Sequence, residues 1–338
     1  MRYAFWNNKG GTGKTSLCFQ SICRYAETHP ATKILVIDAC PQANLSELLL
    51  GGLTGQGSAN LLRMHGAVPR RSLGGYFETR LPSPFNVPQF RSQDYICTPS
   101  QSNNAIPSNI DLVCGDPLLE LQANAINTLA NAQIPGTNTW VEIIEWMDDF
   151  LQQVEDIYET IFIDCNPSFS LYTQIALATS ERIVLPVMAD DSSRRAVQNA
   201  LSLVYGLSLP SPIYSTYAFS SKLIAAGKNL PKVHLIAKNR LTQYMGPASA
   251  YAAVLTEIDN DISNLISTHP HLFTFSNVLS GTAEIRDFQT TGVVAFAKGL
   301  PFSQLKSGKQ TINGHRVQVK EDYPQQVRAS VNQMVAML

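Results

Sequence analysis

Charged residues are scarce in this chain, and neither sign dominates. Asp, Glu, Lys and Arg make up 15% of its 338 residues and the formal net charge is −1, whereas about a quarter of a typical soluble domain is charged. A nearly neutral chain has no global positive field that would drive binding to nucleic acid. Long apolar runs are also missing, since none approaches the ~20 residues of a transmembrane helix. The sequence therefore predicts a globular protein without a membrane span.

The cysteines show no pattern typical of a disulfide framework or of an iron–sulfur cluster. No C-x-x-C pair occurs among the six, which are Cys18, Cys23, Cys40, Cys97, Cys114 and Cys165. Irregular spacing of this kind indicates reduced thiols in the cytosol. The chain also begins almost directly on a predicted strand, which leaves no room for a signal peptide. We therefore expect a cytoplasmic protein.

The strongest motif is a glycine-rich loop, K-G-G-T-G-K-T at residues 9–15, between an apolar run and a segment with helical spacing. Such a turn exposes backbone N–H groups at a helix N-terminus, so it can hold a phosphate. Lys14 supplies an ammonium for the outer phosphates and Thr15 a hydroxyl for Mg²⁺. A glycine turn that binds nothing is the alternative. The predicted nucleotide-binding residues are Lys9, Gly10, Gly11, Thr12, Gly13, Lys14, Thr15 and Ser16.

Two aspartates follow buried, apolar strands. Asp38 ends the predicted strand 33–38, and Asp164 ends the predicted strand 160–164. In an open parallel sheet the ligand lies beyond the carboxyl ends of the strands, so both carboxylates should meet the glycine-rich loop there. An isolated aspartate at a strand end is more often a helix cap or a turn residue. With the loop upstream, the sequence favours a Mg²⁺ site made by Thr15, Asp38 and Asp164.

Strands and helices alternate along the chain, which predicts an α/β fold. We expect a doubly wound, mostly parallel sheet with helices on both faces, in a single domain over residues 1–338. The predicted strands are 2–6, 33–38, 110–114, 160–164, 182–188, 233–238 and 272–278, and the predicted helices are 14–27, 140–155, 192–205, 246–267 and 324–338. Residues 51–109 are expected to form an irregular insertion, with short helices only near 46–50 and 58–65. Helix 324–338 carries a single basic residue, so we expect it to pack on the domain and not on a membrane.

These motifs together resemble the ParA/MinD family of P-loop ATPases. The loop has Asn8 in place of the usual first glycine and carries the extra Lys9, as in that family's deviant Walker A motif. Residues 37–44, I-D-A-C-P-Q-A-N, are similar to its switch I, and residues 163–168, I-D-C-N-P-S, to its Walker B region. Asn239 lies where the family has an adenine-contacting asparagine.

The resemblance implies a P-loop NTPase fold, ATP and Mg²⁺ as cofactors, and catalytic roles for Lys9, Lys14 and Asp38. It also implies that Lys9 reaches the nucleotide of the other subunit in an ATP-dependent homodimer. Such a dimer would position DNA, a plasmid or another cargo, and a ParB-like or other adaptor protein would stimulate hydrolysis. Non-specific DNA binding would place the protein on the nucleoid. The candidate basic surfaces are Arg194 with Arg195, and the run Lys298, Lys306, Lys309, Arg316 and Lys320.

Three departures from the family pattern bear on function. Cys40 replaces the second switch I aspartate, which orients the attacking water, so we predict slow or partner-dependent hydrolysis. Asn166 replaces a proline beside the γ-phosphate and could supply a hydrogen bond that Cys40 cannot. The family's I-P-R motif near the adenine is not visible, and residues 279–281 are the candidate replacement. An ATP-locked scaffold that barely hydrolyses and an ATP-dependent ligase or amidase remain the alternative functions.

Overall fold

The protein is built around one mixed sheet, seen here in a computed structural model that describes residues 1–188, 190–241 and 250–338. Its eight described strands lie in the order β3-β4-β2-β5-β1-β6-β7-β8, and only the β3–β4 pair is antiparallel. A separate antiparallel ribbon consists of β9 and β10. The strands are β1 (Arg2–Phe5), β2 (Ile34–Ala39), β3 (Ile96–Cys97), β4 (Ile110–Val113), β5 (Thr160–Cys165), β6 (Arg182–Met188), β7 (Lys232–Leu241), β8 (Thr282–Arg286), β9 (Gly308–Ile312) and β10 (His315–Val319).

Helices cover both faces of this sheet, as the sequence predicts. The described helices are α1 (Lys14–Thr28), α2 (Asn44–Leu49), α3 (Gly57–His65), α4 (Leu73–Arg80), α5 (Leu118–Ala130), α6 (Thr139–Ile144), α7 (Trp146–Gln152), α8 (Leu171–Ala178), α9 (Asp191–Tyr205), α10 (Pro212–Tyr217), α11 (Phe219–Ala225), α12 (Ala250–Thr268), α13 (Val278–Gly281), α14 (Gln289–Ala297) and α15 (Tyr323–Val335). The first four residues of the predicted helix 246–267 lie outside the described part of the chain.

Side chains of the buried strands point alternately to the two faces of the sheet, so the interior has two hydrophobic cores. In β1, Ala4 and its neighbour Trp6 pack with α4 to α9, whereas Tyr3 and Phe5 pack with α1, α14 and α15. Successive side chains of a strand point to opposite faces, so a strand that is apolar at every position fills both cores. The continuous apolar runs of the sequence are explained by this two-sided burial.

Two predicted elements beyond the segment 51–109 are wrong. The expected single helix 140–155 is two helices, because the backbone breaks at Glu145. Buried residues occur on both sides of the break, at Ile144 and Trp146 among others, which is more than one straight helical stripe can bury. The expected strand 272–278 is not one: Phe273 forms an isolated bridge, and Asn277 caps α13. The edge strand is β8, where Ala283 and Ile285 are buried in alternation.

The segment 51–109 is more ordered than the sequence indicates. Helices α2 and α3 lie where short helices are predicted, but α4 and β3 are additional. Helix α4 buries Tyr76, Phe77 and Arg80, and the Arg80 guanidinium pairs with Asp149 and lies 5.3 Å from the centre of the Trp146 ring. The expectation of little regular structure beyond residue 65 is therefore wrong.

The C-terminal helix packs on the domain. Val327, Val331 and Met334 of α15 are buried in the core that α1 and β8 share. Among the described residues, no helix is both long enough and apolar enough to cross a membrane.

The buried position of α4 leads to a first prediction. Substitution Phe77→Ala should lower the free energy of unfolding by about 3–5 kcal/mol, because the ring is fully buried and packs edge-on against Trp146. Leu62→Ala on α3 is the matched control, since Leu62 is 68% exposed and should change stability by less than about 0.5 kcal/mol. Denaturant unfolding measures both. Equal effects of the two substitutions would show that α4 is not part of the cooperative core.

Candidate functional site

The glycine-rich loop connects β1 to α1 and forms the predicted phosphate cradle. Gly11 and Gly13 have positive φ angles of 74° and 81°, and Gly13 is the residue before the first turn of α1. A Cβ atom at Gly13 would lie 2.3 Å from the Asn239 side-chain nitrogen and would displace it, and the positive φ angle strains any other residue there. Asn239, at the end of β7, donates that nitrogen to the Thr12 carbonyl oxygen over 2.8 Å. The structure therefore places Asn239 against the loop.

Lys14 points back over the same loop. Its side chain is buried, and Nζ donates to the Lys9 carbonyl oxygen at 2.9 Å. Burial lowers the pKa of the Lys14 ammonium, an effect that the Asp164 carboxylate opposes. An ammonium held against a glycine-rich loop at a helix N-terminus is an arrangement that suits phosphate oxygens.

Asp38 and Asp164 are direct register partners on the neighbouring parallel strands β2 and β5, which confirms the predicted convergence. Both are fully buried. Asp38 accepts hydrogen bonds from the Ser46 hydroxyl at 2.7 Å, the Ser46 N–H at 2.9 Å and the Cys40 N–H at 3.1 Å. The Thr15 hydroxyl donates to Asp164 Oδ2 at 2.7 Å.

This cluster fits a divalent cation. Asp164 Oδ1 is buried and has no hydrogen-bond partner in the described structure, although buried polar atoms are almost always satisfied. One ligand atom each from Asp38, Cys40 and Asp164 lies within 4.8 Å of the others. Burial raises the pKa of Asp38 to about 6, and burial with the nearby Asp38 charge raises that of Asp164 to about 8. A bound cation would remove both penalties.

Cys40 occupies the third corner of the cluster. Its thiol lies 3.7 Å from the Asp164 carbonyl oxygen, and its side chain is half-buried. Burial and the two carboxylates raise the pKa of this thiol well above its usual range. A neutral thiol is a weak hydrogen-bond partner for water. Asn166, the other departure nearby, donates its amide to the Tyr172 hydroxyl at 2.6 Å.

Lys9 is bound within its own chain. Its Nζ lies 2.7 and 2.8 Å from the two carboxylate oxygens of Asp190, 2.5 Å from the Ser192 hydroxyl and 3.1 Å from that of Ser193. Asp190 also caps α9, because it accepts the Ser193 N–H at 2.6 Å. Burial would raise the pKa of Asp190, but the Lys9 ammonium and the two hydroxyls hold it at about 2. Sequence reasoning missed Asp190, although D-D-S-S after a strand is a helix-capping signal.

A cavity of about 380 Å³ adjoins the loop beside Asn239. Its walls include Asn239 and Arg240 from β7 and residues from the start of α14. The proposed replacement for the I-P-R motif, residues 279–281, is wrong. These residues directly precede β8, so they lie at the amino ends of the strands and away from the loop, and Leu279 is 90% exposed. The missed residues follow the carboxyl end of β8 and line the cavity: Asp287, Phe288, Gln289, Val293 and Phe296.

A larger cavity, of about 770 Å³, lies at the other edge of the sheet. Two of its cations are already paired: Arg2 contacts Asp148, and Lys228 contacts both Glu145 and Asp148. Among the described residues, its lining also lacks a glycine-rich loop at a helix N-terminus.

A phosphate loop after β1, a buried carboxylate pair on adjacent strands and a cavity beyond β7 define a P-loop nucleotide-binding protein. Residues 2–208 match the family model AAA_31, described as an AAA domain. The chain belongs to this family of ParA/MinD-like P-loop ATPases.

The solved structures and sequence relatives are distant. An ATP complex of a McdA variant from Cyanothece is 15% identical, with 90% of this chain and 89% of that chain covered and a TM-score of 0.57. A plasmid partition protein from Borrelia burgdorferi is 13% identical, covering 100% and 99%, with a TM-score of 0.52. An uncharacterized Pseudomonas putida protein is 26% identical over 189 residues, which are 56% of each chain. The chain thus spans about half the length of the curated relative it matches.

The buried carboxylates lead to a second prediction. In EDTA at pH 8.5, Asp164→Asn should raise the free energy of unfolding by about 1–3 kcal/mol, because the amide carries no buried charge. The folded carboxyls have raised pKa values and bind protons that the unfolded chain releases near pH 4. Their contribution to stability is therefore full below about pH 4 and is lost as the pH rises towards 8. Near pH 5 the gain from Asp164→Asn should disappear. Denaturant unfolding at both pH values measures it.

Asp116→Asn is the control for this prediction. Burial would raise the pKa of Asp116, but Arg70 and Ser72 lower it overall, so its charge is stabilised. Its amide variant should be destabilised at pH 8.5. If Asp164→Asn lowered the free energy of unfolding as much as Asp116→Asn at that pH, the Asp164 charge would be stabilised by the protein. That result would contradict the assignment of a cation pocket.

Proposed function

We propose that this protein is a ParA-like molecular switch that binds Mg²⁺–ATP, forms a sandwich homodimer and positions DNA or another cargo. The observation that carries the proposal is the meeting of a K-G-G-T-G-K-T loop with two buried carboxylates, one of which has an oxygen without a partner among the described residues. A cation site and a phosphate cradle lie together at the carboxyl ends of neighbouring strands. This arrangement fits a nucleoside triphosphate better than any other ligand class.

Each group has a separate task in binding. Backbone N–H groups of residues 10–15 and the N-terminus of α1 would hold the phosphates, and Lys14 would move from the Lys9 carbonyl to a phosphate oxygen. Thr15, Asp38 and Asp164 would hold Mg²⁺, directly or through water. The metal, once bound, would neutralise charge on the outer phosphates. The adenine would lie against Asn239 and Phe296, in the cavity beyond β7.

Hydrolysis would be slow without a partner. Cys40 stands where the family has a water-orienting aspartate, and Asn166 is turned towards Tyr172. An adaptor protein, ParB-like or of another kind, would then have to supply or induce the missing orientation. The same observation favours a second candidate function, a scaffold that remains locked with ATP.

The Lys9–Asp190 contact suggests how dimerisation is controlled. In one chain the Lys9 ammonium is saturated by a carboxylate and two hydroxyls, so it cannot reach a second nucleotide without leaving them. Exchange of Asp190 for the phosphates of a partner-bound ATP would couple nucleotide binding to dimer formation. An ammonium released from one anion to another loses little electrostatic energy.

Light scattering after size exclusion tests this function across concentrations of a non-hydrolysable ATP analogue. Wild type should be monomeric without nucleotide and dimeric with it, and Lys9→Ala should stay monomeric. Asp190→Asn frees Lys9 and keeps the helix cap, so its dimer should form at a nucleotide concentration about two- to fivefold lower.

Asp261→Asn is the matched control, since it removes an acid that pairs with Arg194 and not with Lys9. The nucleotide concentration at which half of this variant is dimeric should equal that of wild type. A wild-type monomer at every nucleotide concentration would reject the dimer switch, and a dimer of Lys9→Ala would reject the role of Lys9.

The outer face of the β9–β10 ribbon is the better of the two candidate DNA surfaces. Lys309 and Arg316 point outward with Thr311 and Gln318, and Lys306 and Lys320 flank them. Among the described residues, none of these four cations forms an ion pair. The other candidate is occupied, because Arg194 contacts Asp261 at 3.0 Å and Glu257 at 3.7 Å.

The inner face of the ribbon fixes it to the domain. Ile312, Val317 and Val319 pack into the core that contains α14. An anchored, cationic surface fits a duplex phosphate backbone, and this is the basis for the proposed association with the nucleoid.

Salt titrations of duplex-DNA binding in the presence of ATP test the ribbon. The double variant Lys309→Gln, Arg316→Gln should bind less tightly, and the slope of log affinity against log salt should fall by about 2, because each phosphate contact contributes about one counterion. Arg194→Gln should leave the slope unchanged. A lower slope in Arg194→Gln and an unchanged slope in the double variant would assign DNA binding to α9. Binding that does not depend on salt concentration would reject both surfaces.

A further inference from the structure

Cys40 gives the cation pocket a sulfur donor. We infer that Asp38, Cys40 and Asp164 form a site for borderline-soft divalent cations of the zinc class, namely Zn²⁺, Co²⁺ and Cd²⁺. The pocket is the one assigned above to the Mg²⁺ of ATP, and only the consequence for ATP rests on the proposed function.

The donor atoms are close enough for one ion. A carboxylate oxygen of each aspartate and the Cys40 sulfur all lie within 4.8 Å of one another. In a tetrahedral zinc site, with Zn–S of about 2.3 Å and Zn–O of about 2.1 Å, neighbouring donor atoms are about 3.4–3.6 Å apart. The three donors would therefore close by up to about 1.2 Å around the ion, with a fourth position open to the phosphate side.

The carboxylates are held in place by other groups. Ser46 fixes Asp38 through two hydrogen bonds, and Thr15 fixes Asp164 through Oδ2. These contacts leave Asp164 Oδ1, which is buried, without any partner in the described structure. A buried carboxylate oxygen without a partner is a second observation that points to a cation site, because such an atom is costly to bury alone.

The sulfur is reachable from outside. Cys40 lines a cavity of about 250 Å³ together with Thr15 and Asn166. The other five cysteines are buried, although Cys165 also lines this cavity, so Cys40 is the most exposed thiol of the chain. An ion entering by the phosphate cavity would meet Cys40 first and then the carboxylates behind it.

The donor set decides which ions fit. Mg²⁺ prefers oxygen ligands, whereas thiolate ligands select zinc-class ions. On binding, the metal–sulfur bond forms as the thiol proton leaves to the buffer, and no electron is transferred. The ion would neutralise two of the three negative charges on the carboxylates and the thiolate, and the nearby Lys14 ammonium would oppose the third. A zinc-class ion held there would occupy the carboxylates that Mg²⁺ needs and would compete with Mg²⁺–ATP.

The test is a titration of the full-length, nucleotide-free protein with Cd²⁺, followed by thiolate-to-metal charge-transfer absorption. Wild type should show one saturable band per chain. Cys40→Ser should lose the band, and its Cd²⁺ affinity should fall by about tenfold or more. Cys165→Ala is the matched control, because Cys165 follows Asp164 directly but lies outside the cluster; it should keep the band.

Cys97 and Cys114 are the competing thiols, since their sulfur atoms lie 3.7 Å apart. A band that survives Cys40→Ser and disappears in Cys114→Ala would overturn the inference, and so would the absence of any band in wild type.

Binding of a fluorescent ATP analogue with Mg²⁺, measured on the same proteins, separates this inference from the proposed function. Nucleotide binding without a Cd²⁺ band would reject the soft-metal site and leave the function intact. A Cd²⁺ band without nucleotide binding would reject the function and support the site. With both present, Cd²⁺ should weaken nucleotide binding in wild type and not in Cys40→Ser; equal weakening in the two proteins would remove Cys40 from the site.

Discussion

The pairing of β2 with β5 is the constraint on which the site depends. Parallel register places Asp38 directly beside Asp164, and burial on both faces of the sheet removes the water that would separate their charges. Two adjacent buried carboxylates repel each other and are unfavourable without a bound cation. The neighbouring groups are arranged around this unfavourable pair: Ser46 and the Cys40 N–H bind one carboxylate, and Thr15 of the phosphate loop binds the other. This unfavourable pair of negative charges therefore favours binding of a cation.

Much of this could be predicted from the sequence because it depends on short-range patterns. The glycine loop, the strands that end in Asp38 and Asp164, and the two-sided sheet all follow from spacing and from the rule that ligands bind beyond the carboxyl ends of parallel strands. The packing of α15 is likewise visible in its apolar stripe. Cys40 is recognisable as a departure only because the motif around it is otherwise regular.

The elements that were missed depend on tertiary contacts. Helix α4 contains Gly74 and Gly75, which weaken its helical signal, and close packing explains both: a Cβ on Gly74 would lie 2.8 Å from Asp116. The ribbon, by contrast, carried a local signal that was overlooked, because Asn313-Gly314 with positive φ angles is a typical hairpin turn. Asp190 could not be assigned as the partner of Lys9 from spacing, since the two are 181 residues apart.

Helix α14 connects two surfaces that the proposed function treats separately. Phe296 lines the cavity beside the loop, and two residues later Lys298 donates to Gln310 on the ribbon at 2.7 Å. Under the proposed function, a ligand that shifts Phe296 would act through Lys298 on the strand that carries Lys309. Thermodynamic linkage makes such an influence reciprocal: whatever factor the nucleotide applies to the affinity for a polyanion, the polyanion must apply to the affinity for the nucleotide. A long polyanion would then act as an effector of the nucleotide pocket as well as a cargo.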